Sequence, residues 1–340
     1  MLMKAAVSTA IGKIETQMIA KPIPGIDEAL IKVHYCGICG SDLKAFLHGD
    51  PYAEFPHVFG HEASGEIVEL GSPDNRYRIG DRVVYDISLG CGDCPACREG
   101  KNSGCENFKI IGGHLPGAFA QYIKVPYRNL FVVPPDMPYE LAALCEPYTV
   151  ASRACMRAEI SNEDNVLILG AGSIALCAIA LAKERGAIVF VAARKDSRLK
   201  RAIDFGADAV INTNEEDLFL RIMQLTDNAG CEVVIDATGA KSVIEDSERH
   251  VTRGGCLVIL GLCMDDVIFN PFNIVKKEMR IIGTMNSDGQ YPFVIKALYE
   301  GKLNGDKYVT DIFDFELAQE AVEFAIANAG DCGKVLLRFE

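Results

Sequence analysis

The chain has 340 residues, a length that usually divides into two domains. Hydrophobic residues make up 49% of it and charged residues 24%, the composition of an ordinary soluble globular protein. A net charge of −13 argues against a nucleic-acid or anionic-membrane partner, and neither a signal peptide nor a membrane-spanning stretch is evident, so we expect a cytoplasmic protein.

The N-terminal part of the chain shows the pattern of β-strands and turns. Residues 3–33 alternate apolar and polar side chains in short runs, and similar runs follow at 63–70, 81–85 and 121–125. Glycines and prolines separate these runs. The pattern predicts a β-rich, barrel-like domain with long functional loops.

One of those loops carries four of the thirteen cysteines, which are Cys91, Cys94, Cys97 and Cys105. An odd number of unevenly spaced cysteines does not indicate a disulfide scaffold in a chain of this length. Four thiolates at these spacings instead predict a closed tetrahedral structural zinc site that orders the loop. An iron–sulfur cluster is the alternative on spacing alone, and four free thiols is the other.

Three separate segments offer ligands for a second metal. Cys39 lies on a glycine turn after an apolar strand, His61 and Glu62 follow Gly60, and Glu146 lies in a helix predicted over 138–158. A lone cysteine is more often a small buried hydrophobe. Together, a thiolate, an imidazole and carboxylates have the chemistry to bind a catalytic zinc that keeps one position open.

The second half of the chain begins with a dinucleotide-binding fingerprint. A buried strand at 165–169 leads into Gly170 and Gly172, and a helix is predicted over 173–185. This is the G-x-G-x-x-G/A pattern in its required strand–turn–helix context, so the helix N-terminus, with Ser173 and Ile174, is expected to face a pyrophosphate.

Further strands at 187–192, 209–211, 232–237, 256–260 and 280–283 alternate with helices, which predicts a doubly wound parallel sheet. Residues just beyond three of these strands complete the candidate cofactor set: Thr238, Gly261 and Met285.

The end of the second strand of this domain bears on cofactor choice. NAD-binding domains usually carry Asp or Glu there for the ribose 2′-hydroxyl, but this chain has Ala193 followed by Arg194 and Lys195. An arginine at this point can bind a 2′-phosphate through paired hydrogen bonds. We therefore predict NADP in preference to NAD, the alternative being that both cations only solvate a loop.

The C-terminal segment returns to short elements. Helices are predicted at 291–300 and 317–327 and strands at 311–313 and 334–339. We expect this tail to join the first domain, which would then comprise 1–150 and 286–340. The dinucleotide-binding domain would comprise 151–285.

The combination resembles the zinc-dependent medium-chain dehydrogenase/reductase family over essentially the whole chain. The matching motifs, in family order, are residues 36–42, Gly60-His61-Glu62, the four-cysteine loop, Glu146-Pro147 and 170–175. The resemblance implies an α/β protein with a GroES-like β-barrel catalytic domain and a Rossmann doubly wound parallel-sheet domain. Glu146-Pro147 looks most like the sorbitol, polyol and sugar-acid dehydrogenase branch.

The resemblance also implies roles for individual residues. Cys39 and His61 would be ligands of the catalytic zinc, with Glu62 and Glu146 as carboxylates in or next to the coordination shell. Ser41 would take the proton of the substrate hydroxyl while hydride passes to the nicotinamide. Lys44 stands where many relatives have a relay histidine, so it either alters that relay, meets an anionic group, or is a solvated surface lysine.

Several functional alternatives remain from the sequence. A simple secondary-alcohol or threonine-type dehydrogenase fits the same fold, and a zinc-free quinone or enone reductase fits it less well because the metal ligands are present. A nucleotide-sensing protein without turnover is a different class. The partners expected are a small-molecule polyol, sugar or sugar acid and, from the resemblance, further copies of the chain in a homodimer or homotetramer.

Overall fold

The computed structural model describes residues 1–329 and 331–339 of the chain, which form two compact units. The first comprises Met1–Glu146, Ser287–Gly301 and Gly305–Glu340, and the second comprises Pro147–Asn286 and Lys302–Asn304. Gly330 and Glu340, which the sequence analysis assigns to the first domain, lie outside the described residues.

The first unit is built on a seven-stranded sheet. Its strand order is β16-β17-β3-β4-β5-β9, and β8 also pairs with β3. Two further sheets have two strands each, β1 with β2 and β6 with β7. The strands are β1 (Leu2–Ala10), β2 (Lys13–Ala20), β3 (Glu28–Gly37), β4 (Glu62–Leu70), β5 (Arg82–Tyr85), β6 (Ser88–Leu89), β7 (Lys109–Ile110), β8 (Tyr122–Pro126), β9 (Leu130–Val132), β16 (Val309–Asp314) and β17 (Lys334–Arg338).

Alternating burial along these strands produces the core of the first unit. Ile31, Val33 and Ile67 are fully buried, and the C-terminal helix packs its small apolar residues on the same core. The helices of this unit are α1 (Gly40–His48), α2 (Pro95–Arg98), α3 (Tyr139–Ala142), α10 (Tyr291–Tyr299), α11 (Gly305–Tyr308) and α12 (Ala318–Ala327), with 3₁₀ turns at Asn102–Gly104, Tyr127–Asn129 and Phe315–Leu317.

The second unit is a six-stranded parallel sheet in the order β12-β11-β10-β13-β14-β15. This order reverses direction beside β10, which is the doubly wound arrangement. The strands are β10 (Asn165–Leu169), β11 (Ile188–Ala193), β12 (Ala209–Asn212), β13 (Cys231–Asp236), β14 (Val251–Ile259) and β15 (Arg280–Gly283). The helices are α5 (Ser173–Glu184), α6 (Asp196–Asp204), α7 (Leu218–Leu225), α8 (Lys241–Ser247) and α9 (Pro271–Lys277), with a 3₁₀ turn at Glu248–His250.

The helix predicted over 138–158 is wrong as a single helix. It is divided into α3 and α4 (Cys145–Arg157), with Ala143 and Leu144 between them. Pro147 has no backbone N–H and is tolerated only in the first turn of a helix, so a helix starts anew at Cys145. Helix α4 carries Glu146 at its start, at the end of the first unit.

Two global observations follow from the described residues. All thirteen cysteines of the chain are free thiols in this structure. Within residues 1–329 and 331–339, no helix has both the length and the apolar character that crossing a membrane requires.

Candidate active site

Strand pairing brings Cys39, His61 and Glu62 together. Strands β3 and β4 are antiparallel, with Gly37 opposite Glu62, so the end of β3 lies beside the start of β4. Cys39 lies two residues after the end of β3, and His61 immediately precedes β4. One potential ligand atom from each of the three side chains lies within 4.8 Å of the others. This donor set fits a zinc ion with part of its coordination shell left for another ligand.

Asp42 supports this cluster from the first turn of α1. One of its carboxylate oxygens, Oδ2, accepts a hydrogen bond from the backbone N–H of Cys39 at 2.8 Å. The other, Oδ1, accepts from Gly60 N at 3.3 Å and lies 3.6 Å from Nδ1 of His61. The carboxylate therefore fixes both ligand-bearing segments. A carboxylate beside a ligating histidine also sets the ring orientation.

The electrostatic field of the cluster favours positive charge. Burial lowers the pKa of His61, but the negative charges of Asp42 and Cys39 outweigh it and raise the pKa well above its ordinary value. A field that stabilises a proton on the imidazole also attracts a metal cation. The negative groups that raise this pKa would attract a divalent cation as well, in agreement with the donor set.

Glu62 is paired with a lysine that sequence reasoning missed. Nζ of Lys334 lies 2.6 Å from each carboxylate oxygen of Glu62, and both side chains are buried. Lys334 also donates to the carbonyl oxygen of Ile38 at 3.2 Å. A Cβ at Gly37 would lie only 2.2 Å from Glu62 Oε2, so glycine there leaves room for the pair. Lys334 is the first residue of an apolar strand, and its sequence context does not indicate that it pairs with Glu62.

Glu146 lies near these residues without belonging to the closest set. Only 7% of it is exposed, and burial raises its pKa to about 7, with His61 and Lys334 acting in the opposite direction. Glu62 contributes to the upward shift. Glu146 is therefore a second buried carboxylate of the same cluster, while Glu62 is the one within 4.8 Å of both Cys39 and His61.

Ser41 and Lys44 lie on α1, directly after Cys39. Both are exposed, and their spacing of three residues makes them neighbours on the helix surface. Ser41 and Lys44 are neighbours because this segment is helical, whereas only a turn was predicted here from the sequence. The signal available was Asp42, an acidic residue three positions after the N-cap Cys39.

The four-cysteine loop also brings its thiols together. The Sγ atoms of Cys91, Cys94, Cys97 and Cys105 all lie within 4.8 Å of one another. Cys105 Sγ accepts from the backbone N–H groups of Cys91 and Asn107, at 3.3 Å each. Backbone donors to sulfur stabilise a thiolate, so the loop fits a structural zinc.

The loop between β10 and α5 fits a pyrophosphate. Gly170 has φ +102°, in the region that favours glycine, and its N–H donates to Ala192 O at 2.9 Å. A Cβ at Gly172 would meet no atom within 4 Å, so the space above the N-terminus of α5 is open. Ser173 and Ile174 begin the helix, and the N-terminal end of a helix is the end that favours an anion.

Arg194 and Lys195 follow the end of β11 and are both exposed. The carbonyl oxygen of Arg194 accepts from Asn214 Nδ2 at 2.9 Å, which holds the backbone of this turn. The nearest following carboxylate is Asp196, whose Oδ1 accepts from Asn212 Nδ2 at 2.7 Å.

A buried aspartate organises the ends of β13 and β14. Asp236 accepts at Oδ1 from Thr238 N (3.0 Å) and Oγ1 (2.5 Å), and at Oδ2 from Gly239 N (3.1 Å). A Cβ at Gly261 would lie 2.7 Å from Asp236 Oδ2, and one at Gly170 would lie 3.0 Å from Thr238 Cγ2. Asp236 thus fixes three predicted cofactor positions against one another. The sequence signal was a carboxylate closing an apolar strand.

Met285, the remaining predicted cofactor residue, is half-buried in the segment after β15. Its neighbour Asn286 has φ +55°, the left-handed conformation that asparagine tolerates better than most residues.

Comparison with known proteins places the chain in a family. Residues 25–135 match the family model described as alcohol dehydrogenase GroES-like domain, and residues 173–300 match zinc-binding dehydrogenase. Sorbitol dehydrogenase of Bacillus subtilis is 34% identical over 98% of this chain and 97% of its own. L-galactonate-5-dehydrogenase of Escherichia coli is 33% identical over 94% of each chain. L-threonine 3-dehydrogenase of Pyrococcus horikoshii is 37% identical over 93% of this chain and 92% of its own.

Solved structures agree with these matches. A zinc-binding dehydrogenase of Sinorhizobium meliloti bound to NADP has a TM-score of 0.92 and 29% identity over 100% of both chains. An alcohol dehydrogenase of Escherichia coli complexed with NADH has a TM-score of 0.94 and 28% identity over 99% of both chains.

The chain therefore belongs to the zinc-dependent medium-chain dehydrogenase family, in the branch of the polyol and sugar-acid dehydrogenases. It is an alcohol dehydrogenase that uses zinc and a nicotinamide dinucleotide. The predicted fold class, with a GroES-like and a Rossmann domain, is confirmed.

Proposed function

We propose that this protein oxidises a secondary hydroxyl of a polyol or sugar acid, or reduces the corresponding ketone, with NADP as the preferred cofactor. The observation that carries the proposal is the convergence of Cys39, His61 and Glu62 on one point. The similarity to a sorbitol and to an L-galactonate dehydrogenase supports the substrate class.

In this proposal each residue has a separate task. Cys39 and His61 bind zinc, and Glu62 and Glu146 supply the carboxylates in or beside the coordination shell. When bound, zinc supplies the Lewis acidity that lowers the pKa of a substrate hydroxyl. Ser41, two residues after Cys39, accepts the hydroxyl proton and passes it towards solvent, which its exposure on α1 allows.

Lys44 lies beside Ser41 on the exposed surface of α1. Its cationic head there favours the departure of a proton and the approach of an anionic group. Relatives that have histidine at this position would pass the proton through that histidine, so the proton relay of this chain would differ from theirs at Lys44.

The second unit binds the cofactor in this proposal. Gly170, Gly172, Ser173 and Ile174 hold the pyrophosphate at the N-terminus of α5. Thr238, Gly261 and Met285, which follow the ends of β13, β14 and β15, line the remainder of the dinucleotide. Arg194 and Lys195 receive the 2′-phosphate, a preference supported by the missing carboxylate at Ala193 and by the hydrogen bond that already occupies Asp196.

Zinc content and activity test the two metal sites separately. We expect about two zinc ions per chain in the purified protein. Cys39→Ala should lose one ion and all turnover while retaining NADPH affinity, measured by nucleotide fluorescence. Cys94→Ser should lose the other ion and lower the melting temperature. Loss of cofactor affinity in Cys39→Ala would contradict the assigned role.

A substrate screen tests the reaction itself. Polyols, sugar acids, butanediol and L-threonine are offered with NADP and with NAD, and absorbance of the reduced cofactor is followed. Turnover of polyols or sugar acids supports the proposal. Turnover of L-threonine alone favours the threonine-type alternative, and no turnover by fully zinc-loaded protein favours a nucleotide sensor.

We further propose that two or four copies associate through the β15 edge of the second unit. Strand β15 ends the sheet, and the segment preceding it exposes five large apolar side chains: Leu262, Met264, Ile268, Phe272 and Val275. Sedimentation should show a smaller species for Phe272→Asp than for the control Ile79→Asp, which changes an exposed residue of the first unit. A monomeric wild type would contradict this proposal.

The free thiols of the chain fit a reducing compartment, so the cytoplasm is the proposed location.

A further inference from the structure

We propose that Tyr52 and His114 form a stacked platform that binds the part of a polyol remote from its reacting hydroxyl. This inference rests on the proposed function and names the residues that would select a long polyhydroxylated substrate over a short alcohol. All of its residues belong to the first unit.

The position of His114 follows from the backbone of the segment 110–117. Ala118 N donates to Gly60 O at 2.8 Å, so the end of this segment is hydrogen-bonded next to His61. A Cβ at Gly112 would lie 2.7 Å from Gly60 O and 3.1 Å from His61 Cβ. The segment is therefore in direct contact with a candidate metal ligand, and His114 follows Gly112 by two residues.

The imidazole of His114 is held on several sides. Its ring stacks on Tyr52 with centroids 4.5 Å apart and an angle of 21°, and Phe108 presents an edge at 6.4 Å. Nδ1 accepts from the backbone N–H of Ile110 at 3.2 Å. A neutral histidine with Nδ1 as acceptor carries its proton on Nε2, so that atom is a donor with a fixed direction.

Tyr52 supplies the other half of the platform. Its side chain is 52% exposed, and its backbone N–H donates to Asp50 Oδ1 at 2.7 Å, which fixes the turn it stands on. The ring stacks on His114 and still keeps about half of its residue surface open to solvent. An exposed aromatic ring with a hydroxyl at its edge is a poor core residue and a good surface for binding.

The chemistry of the pair matches a polyol. An extended polyol presents C–H groups along one side and hydroxyls along its edges. Stacked rings offer an apolar face to the C–H groups, while Tyr52 Oη and His114 Nε2 offer hydrogen bonds to the hydroxyls. A four-carbon diol has fewer C–H groups and hydroxyls to place on such a platform than a longer polyol, so we expect it to gain less.

The test compares D-sorbitol with 2,3-butanediol in single variants of zinc-loaded enzyme. Tyr52→Ala and His114→Ala should raise the KM for sorbitol about tenfold with kcat little changed, a loss typical of uniform binding. For butanediol, kcat/KM should stay within about twofold. Tyr52→Phe, which keeps the stack, should fall between wild type and Tyr52→Ala. Tyr299→Ala removes another exposed tyrosine of the same unit and should change neither substrate.

The outcomes separate this inference from the proposed function. Equal losses for both substrates, or no loss for either, would overturn the platform while leaving the dehydrogenase intact. A wild type that oxidises butanediol but not sorbitol would also overturn it. A wild type with full zinc that oxidises no alcohol would overturn both, and the zinc content and melting temperature of each variant show whether it has folded.

Discussion

Lys334 Nζ lies 2.6 Å from both carboxylate oxygens of Glu62, and the two side chains are 2% and 0% exposed. These residues come from opposite ends of the chain, on β17 and β4. A buried ion pair contributes little net stability when intact, but removing one partner leaves an uncompensated buried charge. The pair therefore links strand β17 to the candidate metal site.

Lys334→Met should lower the free energy of unfolding of the metal-free protein by about 3–5 kcal/mol, because Glu62 would then be buried without a cation. Denaturant unfolding measures the change. Lys334→Arg should lose much less, and adding Glu62→Gln to Lys334→Met should restore most of the loss. A loss in Lys334→Met below about 1 kcal/mol, as for an exposed pair, would contradict the burial of this contact.

Cofactor preference should respond to the end of β11. Replacing Ala193 by Asp and Arg194 by Ala supplies an acceptor for the ribose hydroxyl and removes the cation that would bind a 2′-phosphate. The ratio of kcat/KM for NADP to that for NAD should fall about a hundredfold, with Lys195→Ala alone causing a smaller decrease. An unchanged ratio would mean that these cations only face solvent.

Asp236→Asn should weaken cofactor binding without loss of zinc. The amide keeps one acceptor oxygen, so it cannot accept from both Thr238 and Gly239. The loosened turn lies against Gly170, and we expect the NADPH dissociation constant to rise about tenfold, a cost in the range for a hydrogen bond to a buried charge. Asp227→Asn is the control, an exposed aspartate of the same unit. Reduced zinc content would show a wider structural defect.

Acid stability should depend on His250. Burial lowers its pKa to about 4, although Asp246 Oδ2 lies 3.3 Å from its Nε2. In the unfolded chain the pKa is about 6.5, so the unfolded state binds more protons between these values and stability falls as the pH drops from 6.5 to 4.

The decrease attributable to this histidine is at most about 3 kcal/mol. His250→Gln should therefore lose less stability than wild type between pH 7 and pH 5, measured by thermal unfolding. Parallel pH profiles for the two proteins would contradict the prediction.

The periodic parts of the fold were accessible from the sequence. Continuous apolar runs predicted the strands of the parallel sheet, and the fingerprint around Gly170 predicted helix α5 within one residue at its end. These features depend on neighbours along the chain. The break between α3 and α4 was missed because the helical spacing of apolar residues continues across Ala143 and Leu144, and the effect of Pro147 was not weighed against it.

Only part of the candidate site could be predicted from the sequence, because some of its residues are defined by contacts between distant parts of the chain. The four loop cysteines have a spacing that indicates metal binding by itself, whereas Cys39, His61, Glu62 and Glu146 indicate it only as a set. Lys334, Asp236 and His114 gain meaning only from contacts across the fold, and lysine, aspartate and histidine occur in many places for other reasons. Lys334 is 272 residues away from Glu62 in the sequence, so the residues around it do not indicate that the two side chains pair.

The segment 112–117, which lies beside His61, has a glycine at each end, and both glycines pack closely against the backbone of Gly60. A Cβ at Gly117 would lie 2.2 Å from Gly60 O, just as one at Gly112 would lie 2.7 Å from the same oxygen. Side-chain changes at residues 113–116, between these two close approaches, should be tolerated better than a side chain at either glycine. Such changes would alter the surface beside His61, a candidate metal ligand, while the backbone packed against Gly60 stays in place.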